Sequence, residues 1–125
     1  MGLTHKLLKV KESRKAASES EIEFLIDIGA IHSLVPRQTL DALGIEPYKK
    51  LTFILADGTK VERQVGDAYF EYQGEGGAAP VIFGEAGDEA LLGAMTLESL
   101  GLVLNPFQRE LFPMRLMLAR SLSAS

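Results

Sequence analysis

The chain has 125 residues, of which 46% are hydrophobic, which is enough apolar material for the core of one domain. Its 13 basic and 17 acidic residues are mixed along the chain, with a formal net charge of -4, so we expect neither nucleic acid nor a membrane as a partner. The absence of cysteine excludes disulfides and thiolate metal sites. No targeting segment or membrane span is visible, and we expect a cytoplasmic protein.

Short apolar runs separated by turn residues follow one another along the whole chain. They predict strands over residues 6–10, 21–27, 30–35, 51–56, 59–72, 81–83, 90–93, 102–104 and 109–118, and short helices over residues 37–43 and 96–101. Leu40 and Leu43 should face the interior, and the small polar residues 119–125 should form a frayed tail. Many short strands with two short helices indicate an all-β barrel or sandwich.

Three glycine-containing segments punctuate this pattern. Gly29 is predicted to give the chain the freedom to turn after the second strand. Asp57-Gly58 between two strand-like arms predicts a β-hairpin turn. Residues 74–80 are predicted to break the strand that precedes them, so that a separate buried strand begins at residue 81.

One carboxylate stands out because it lies inside an apolar segment. Residues 24–36 read Phe-Leu-Ile-Asp-Ile-Gly-Ala-Ile-His-Ser-Leu-Val-Pro, so Asp27 is placed where the chain otherwise favours burial. A buried ionised carboxylate is costly unless it is hydrogen-bonded or used. Asp27 is therefore either a structural turn residue before Gly29 or a functional acid.

Other chemistry finds little support in the residue pattern. His32 and Ser33 are neighbours on a predicted strand, so they should point to opposite faces and lack a third catalytic partner. His5 and His32 have no clustered carboxylates nearby in sequence that would complete a metal site. Residues 74–77 are followed by neither a Lys-Ser/Thr pair nor a helix, so they predict a turn and not a phosphate loop.

Taken in order, four segments resemble the retropepsin-like aspartic proteases, in particular the small single-domain bacterial and archaeal members. These are an apolar strand with Asp-x-Gly-Ala at residues 24–30, an apolar strand with a Ser at 31–36, a hairpin at 55–61, and Leu-Leu-Gly at 91–93 before a short helix. The resemblance covers roughly residues 21–118. It implies a closed β-barrel lobe, one lobe per chain, with residues 1–118 as a single domain.

In that family two chains form one active site, so the resemblance implies a homodimeric aspartic endopeptidase acting on a peptide or protein substrate, without cofactor or metal. Asp27 would be the catalytic residue. The site residues implied besides it are the active-site motif Ile28, Gly29 and Ala30, the flap residues Ala56, Asp57 and Gly58, and the core motif Leu91, Leu92 and Gly93 under the site. Leu91, Leu92 and Gly93 are core residues with or without the resemblance.

Position 28 departs from the family pattern. The family has Thr or Ser there, and the hydroxyl makes hydrogen bonds across the dimer, whereas Ile28 has no hydroxyl. Loss of such a bond costs about 1 kcal/mol. Two functions therefore stay open: an active endopeptidase with an Asp27 pair, and a catalytically weak or inactive dimeric module that binds peptides or serves as a scaffold.

Overall fold

The computed structural model describes residues 3–114, and in this range the chain is mostly β-structure with two short helices. The strands are β1 (His5–Lys11), β2 (Glu19–Ile26), β3 (Ser33–Pro36), β4 (Lys49–Ile54), β5 (Lys60–Tyr72), β6 (Glu75–Gly84), β7 (Leu91–Leu92), β8 (Leu102–Asn105) and β9 (Glu110–Pro113). The helices are α1 (Arg37–Ala42) and α2 (Ala94–Leu100). The all-β prediction with two short helices is confirmed at this level.

Seven strands form one sheet in the order β1-β2-β7-β3-β6-β5-β4. Because β1 also pairs with β5, the six strands other than β4 close into a ring. The pairs β2–β7 and β3–β6 are parallel, and the other pairs in the sheet are antiparallel. β4 lies outside the ring beside β5, and β8 and β9 form a separate hairpin.

The core lies inside the ring, and the two-residue period of the strands places it there. In β2, Phe24 and Ile26 are buried while Glu21 and Glu23 face solvent. The ring of Phe24 meets that of Phe70 edge to face, with centroids 6.0 Å apart. Leu40 and Leu43 are buried as predicted, and α2 packs on β6 with three buried side chains: Thr96, Leu97 and Leu100.

The predicted break over residues 74–80 is wrong. The turn consists of Gln73 and Gly74, and β6 then runs without interruption and pairs with β5 from Tyr72–Glu75 to Val65–Ile82. Gly76 serves close packing, because a Cβ there would lie 2.0 Å from the hydroxyl of Tyr69. Glycine in a strand marks such an approach as often as a turn, and the sequence alone did not distinguish the two.

Several boundaries also differ from prediction. The strand predicted over residues 30–35 is shorter and later, at Ser33–Pro36, and α2 begins two residues earlier than expected. β9 covers only part of the strand predicted over residues 109–118. Residues 115–118 of that strand and the predicted tail 119–125 lie outside the described residues. Neither helix in residues 3–114 is long and apolar enough to cross a membrane.

One ion pair, between Arg63 and Asp88, links the loop after β6 to the long strand β5. Arg63 Nε donates to Asp88 Oδ2 at 2.8 Å and Nη2 donates to Oδ1 at 3.2 Å, and the Glu85 amide also donates to Asp88 at 2.8 Å. Hydrogen bonding from Arg63 is the main reason that the pKa of Asp88 lies below its usual range. The paired carboxylate therefore stabilises this loop at neutral pH.

Candidate functional site

Asp27 is the first residue of a loop that joins β2 to β3. The Asp27 amide still donates to Leu92 O at 3.0 Å, which continues the pairing of β2 with β7. The chain then turns, with Ala30 N donating to Asp27 O at 3.1 Å. The carboxylate oxygen Oδ1 accepts the Gly29 amide at 3.0 Å. Asp27 is half-buried in the single chain, so the deep burial suggested by its apolar neighbours is not observed.

The predicted reason for Gly29 is also wrong. Gly29 does not adopt a positive φ, so it is not there for left-handed backbone freedom. A Cβ at this position would lie 3.3 Å from Asp27 Oδ1, in the space beside the carboxylate. Because Gly29 has no side chain, the Asp27 carboxylate has room to accept the Gly29 amide.

The Leu91-Leu92-Gly93 segment lies directly beneath the loop, where β7 joins β2 and β3. Leu25 pairs with Leu91 in parallel register, and Leu91 pairs with Leu34 on the other side. A Cβ on Gly93 would lie 2.5 Å from His32 O, so only glycine allows the two backbones to approach this closely.

The start of α2 adds two further hydrogen bonds to the loop. Ala94 N donates to Ala30 O at 2.8 Å, and Met95 N donates to Ile31 O at 3.1 Å. These bonds explain why β3 starts late, since residues 30 and 31 use their carbonyl groups to contact α2 and not to continue a strand.

Ser33 and Thr96 form a buried polar pair under the loop that sequence analysis did not assign. Both side chains are fully buried, and their hydroxyls hydrogen-bond to each other. Ser33 Oγ also accepts the Gly93 amide at 2.9 Å, so both buried hydroxyls have hydrogen-bond partners. The only sequence signal was a hydroxyl residue in each of two apolar segments, which does not reveal that the two meet.

The β4–β5 hairpin projects beside the loop, and Asp57-Gly58 forms its turn as predicted. β4 ends at Ile54, two residues earlier than expected, and residues 55–59 form the tip, closed by Leu55 N donating to Thr59 O at 2.8 Å. Asp57 Oδ1 accepts the Thr59 amide at 2.9 Å. Hydrogen bonding from Thr59 lowers the pKa of Asp57, and the whole tip is exposed.

A cleft of about 570 Å³ separates the hairpin from the loop. Its lining is almost wholly apolar and comes from the loop, β3, the hairpin, β6 and β7: Gly29, Ala30, Ile31, His32, Leu34, Phe53, Ile54, Leu55, Ile82 and Leu91. The rings of His32 and Phe53 meet edge to face, with centroids 6.0 Å apart. The motif residues Gly29 and Ala30 thus share one cleft with the base of the hairpin.

Two large aliphatic side chains beside Asp27 point into solvent. Ile28 is 61% exposed and Ile31 is 64% exposed. Neither belongs to the core of the single chain, although the sequence placed both in an apolar segment. Ile31 also lines the apolar cleft, so exposed apolar surface continues from the cleft onto the loop.

The alternative chemistries considered from sequence gain nothing from the geometry. Ser33 faces the interior with Gly93 and Thr96, whereas His32 faces the cleft, so the two do not form a nucleophile and base. Within residues 3–114 no group of three His, Asp or Glu side chains is arranged to hold a metal ion. His5 lies near Glu89, with Nε2 3.8 Å from the carboxylate.

Models of known protein families gave no match to this chain, and neither did a search of curated proteins.

Proposed function

We propose that the protein is a homodimeric aspartic endopeptidase of the retropepsin-like type, in which Asp27 of two chains forms the active site. The observation that carries the proposal is the position of Asp27. Its carboxylate accepts the Gly29 amide, and the loop that carries it is hydrogen-bonded to Leu92 and to the start of α2. An apolar cleft lies between this loop and the hairpin. This arrangement supports an extended peptide bound between loop and hairpin.

The proposed dimer explains the exposed residues beside Asp27. A two-fold axis through the loop would bring the two Asp27 side chains together and would cover Ile28 on each chain with the same surface of its partner. Within residues 3–114, Ile28 is 61% exposed and is not part of the hydrophobic core, so the core does not account for its apolar side chain. A single chain has one such loop and therefore half of the proposed site.

The proposed chemistry is hydrolysis by a carboxyl pair that shares one proton. Two carboxylates at short distance do not both ionise readily, so one is protonated and the other is charged, as the general behaviour of aspartic protease pairs illustrates. The ionised Asp27 takes a proton from water, whose oxygen attacks the peptide carbonyl carbon, while the protonated Asp27 donates to the carbonyl oxygen. The C–N bond then breaks as the nitrogen accepts the proton taken from water, and one hydroxyl of the intermediate returns its proton to the other Asp27, which leaves a carboxylic acid and an amine and restores the pair.

Ile28 favours a second candidate function. Because Ile28 cannot make the hydrogen bonds that a hydroxyl at this position would make across a dimer, each carboxylate would be held only by the Gly29 amide of its own chain and by packing. A dimer of this kind would still present the cleft and the hairpin to a peptide. The second candidate is therefore a dimeric peptide-binding or scaffold module with little or no hydrolytic activity.

Cleavage of a peptide library at mildly acidic pH tests the first candidate, with products identified by mass spectrometry. Asp27→Asn removes the acid without changing its shape and should lower cleavage by roughly three orders of magnitude or more. Asp41→Asn is the matched control, because Asp41 is an exposed aspartate on α1 and does not line the cleft.

Sedimentation of the wild type at micromolar concentration tests the dimer in parallel. Cleavage that survives Asp27→Asn, or a strictly monomeric protein that still cleaves, would refute the shared-carboxylate mechanism. A dimer that binds library peptides without cleaving them would support the second candidate.

A further inference from the structure

Among the lining residues of the cleft that the structure describes, His32 is the one ionisable side chain. The other lining residues are apolar or glycine, and His32 lies between the Asp27 loop and the base of the hairpin. A polar side chain in an apolar wall fixes the orientation of a ligand more strongly than the apolar residues around it. His32 is therefore placed to select among peptides that enter the cleft.

The imidazole ring is held in place but keeps its polar atoms available. Its edge-to-face contact with Phe53, at a centroid distance of 6.0 Å and an interplanar angle of 80°, fixes the ring against the first arm of the hairpin. Within residues 3–114 its nitrogens take part in none of the side-chain hydrogen bonds or ion pairs, whereas the other histidine, His5, lies beside Glu89. A ligand group can therefore bind to His32 without first displacing a protein partner.

We propose that His32 is a specificity-determining residue that selects peptides carrying an acidic side chain two residues from an apolar one. This inference rests on the proposed function, because it takes the cleft as the place where an extended peptide binds. In an extended peptide, residues two apart point to the same face, so the apolar side chain enters the cleft while the carboxylate meets His32.

Charge complementarity is the reason for choosing a carboxylate. Histidine is the side chain that commonly gains a positive charge in mildly acidic solution. An imidazolium and a carboxylate brought together in an apolar cleft attract more strongly than they do in water. The neutral amide of glutamine has the same size as glutamate but lacks this attraction.

The charged groups carried by the elements around the cleft lie outside its lining. The loop carries Asp27, the hairpin carries Asp57 and Lys60 near its tip, and β6 contributes only Ile82 to the cleft. Within residues 3–114, a peptide carboxylate that reaches His32 therefore meets no other charged side chain in the lining of the cleft.

The test uses pairs of fluorescein-labelled octapeptides with Leu or Phe at one position and either Glu or Gln two residues along. At pH 5 the wild type should cleave the Glu peptide with a kcat/KM about tenfold or more above that of the Gln peptide. His32→Gln should make kcat/KM equal for the Glu and Gln peptides, and His5→Gln is the matched control that should leave their ratio unchanged. His32→Lys, which places a cation at this position, should keep the preference for Glu.

Binding measured with the Asp27→Asn protein separates this inference from the proposed function. Fluorescence anisotropy should show the same preference for Glu over Gln, again removed by adding His32→Gln. Selective binding without any cleavage by the wild type would support the inference while refuting the peptidase. Cleavage without a preference for Glu, or a preference that survives His32→Gln, would overturn the inference and leave the peptidase standing. Absence of both binding and cleavage would overturn both.

Discussion

Replacing Ile28 by alanine should weaken the proposed dimer and leave the fold of the single chain intact. Ile28 is 61% exposed and lies outside the core cluster. Its truncation should therefore change the free energy of unfolding of one chain by no more than about 0.5 kcal/mol. Any larger effect has to come from contacts between chains.

The size of that effect follows from the exposed fraction. Complete burial of an isoleucine side chain contributes about 1.5 to 3 kcal/mol, so covering the exposed 61% contributes about 1 to 2 kcal/mol per chain. A symmetric dimer loses this contribution twice. The dissociation constant should therefore rise by roughly 30- to 700-fold, which corresponds to about 2 to 4 kcal/mol.

Sedimentation velocity over a concentration series measures the dissociation constant directly. Leu7→Ala is the matched control, because Leu7 is a comparably exposed aliphatic residue, at 56%, on β1 near the turn at Gly74. Equal dissociation constants for the Ile28→Ala and Leu7→Ala proteins would refute an interface at position 28.

Ile28→Thr extends this experiment to the missing hydroxyl. Threonine keeps the branched shape and adds a hydrogen-bonding group, so its dimer should be tighter than that of Ile28→Ala by about 1 kcal/mol per bond formed. Cleavage should also rise above that of the wild type, and the rise should disappear when Asp27→Asn is added. A dimer no tighter than that of the alanine variant, with unchanged cleavage, would show that a hydroxyl is not what the site lacks.

Three further predictions concern the supports of the site. Ser33→Ala leaves the buried Gly93 amide without its acceptor and should lower the free energy of unfolding in urea by about 1 to 3 kcal/mol. Ser18→Ala, in an exposed loop, is the control and should leave it unchanged. Equal effects of the two substitutions would contradict a structural role for the Ser33 hydroxyl. Asp88→Asn should destabilise by about 1 to 2 kcal/mol at pH 7. Because Arg63 lowers the pKa of Asp88 in the folded chain, its stabilisation is present above the unfolded value and is lost as pH falls through the folded value. The deficit should therefore shrink below about pH 4, and a pH-independent deficit would rule out the ion pair as its cause. Amides of residues 55–61 should exchange faster than those in the middle of β5 and slow down with a bound peptide mimic, and uniformly slow exchange would argue against a mobile hairpin.

The sequence by itself determined the local elements and the residue on which the proposals rest. Alternating apolar residues, Pro36, Gly101 and the Asp57-Gly58 turn were sufficient for most strands and both helices, because these signals act over a few neighbouring residues. They also singled out Asp27, since a carboxylate in an apolar segment is visible without a fold. Boundaries failed where the chain meets distant residues, as at Ala30 and Ile31, whose carbonyl groups accept amides from the start of α2.

Only the tertiary structure decided how these elements form a site. The closing pair of β1 and β5, the buried pair of Ser33 and Thr96, and the cleft shared by His32 and Phe53 all join residues far apart in the chain. The sequence does not distinguish an apolar residue in the core from one that faces solvent, whereas the structure places Ile26 in the core and leaves Ile28 exposed. Such contacts depend on the packing of the whole chain. Protein interiors are close-packed, so each side chain has to fit the space left by residues that are near it in three dimensions and not in sequence.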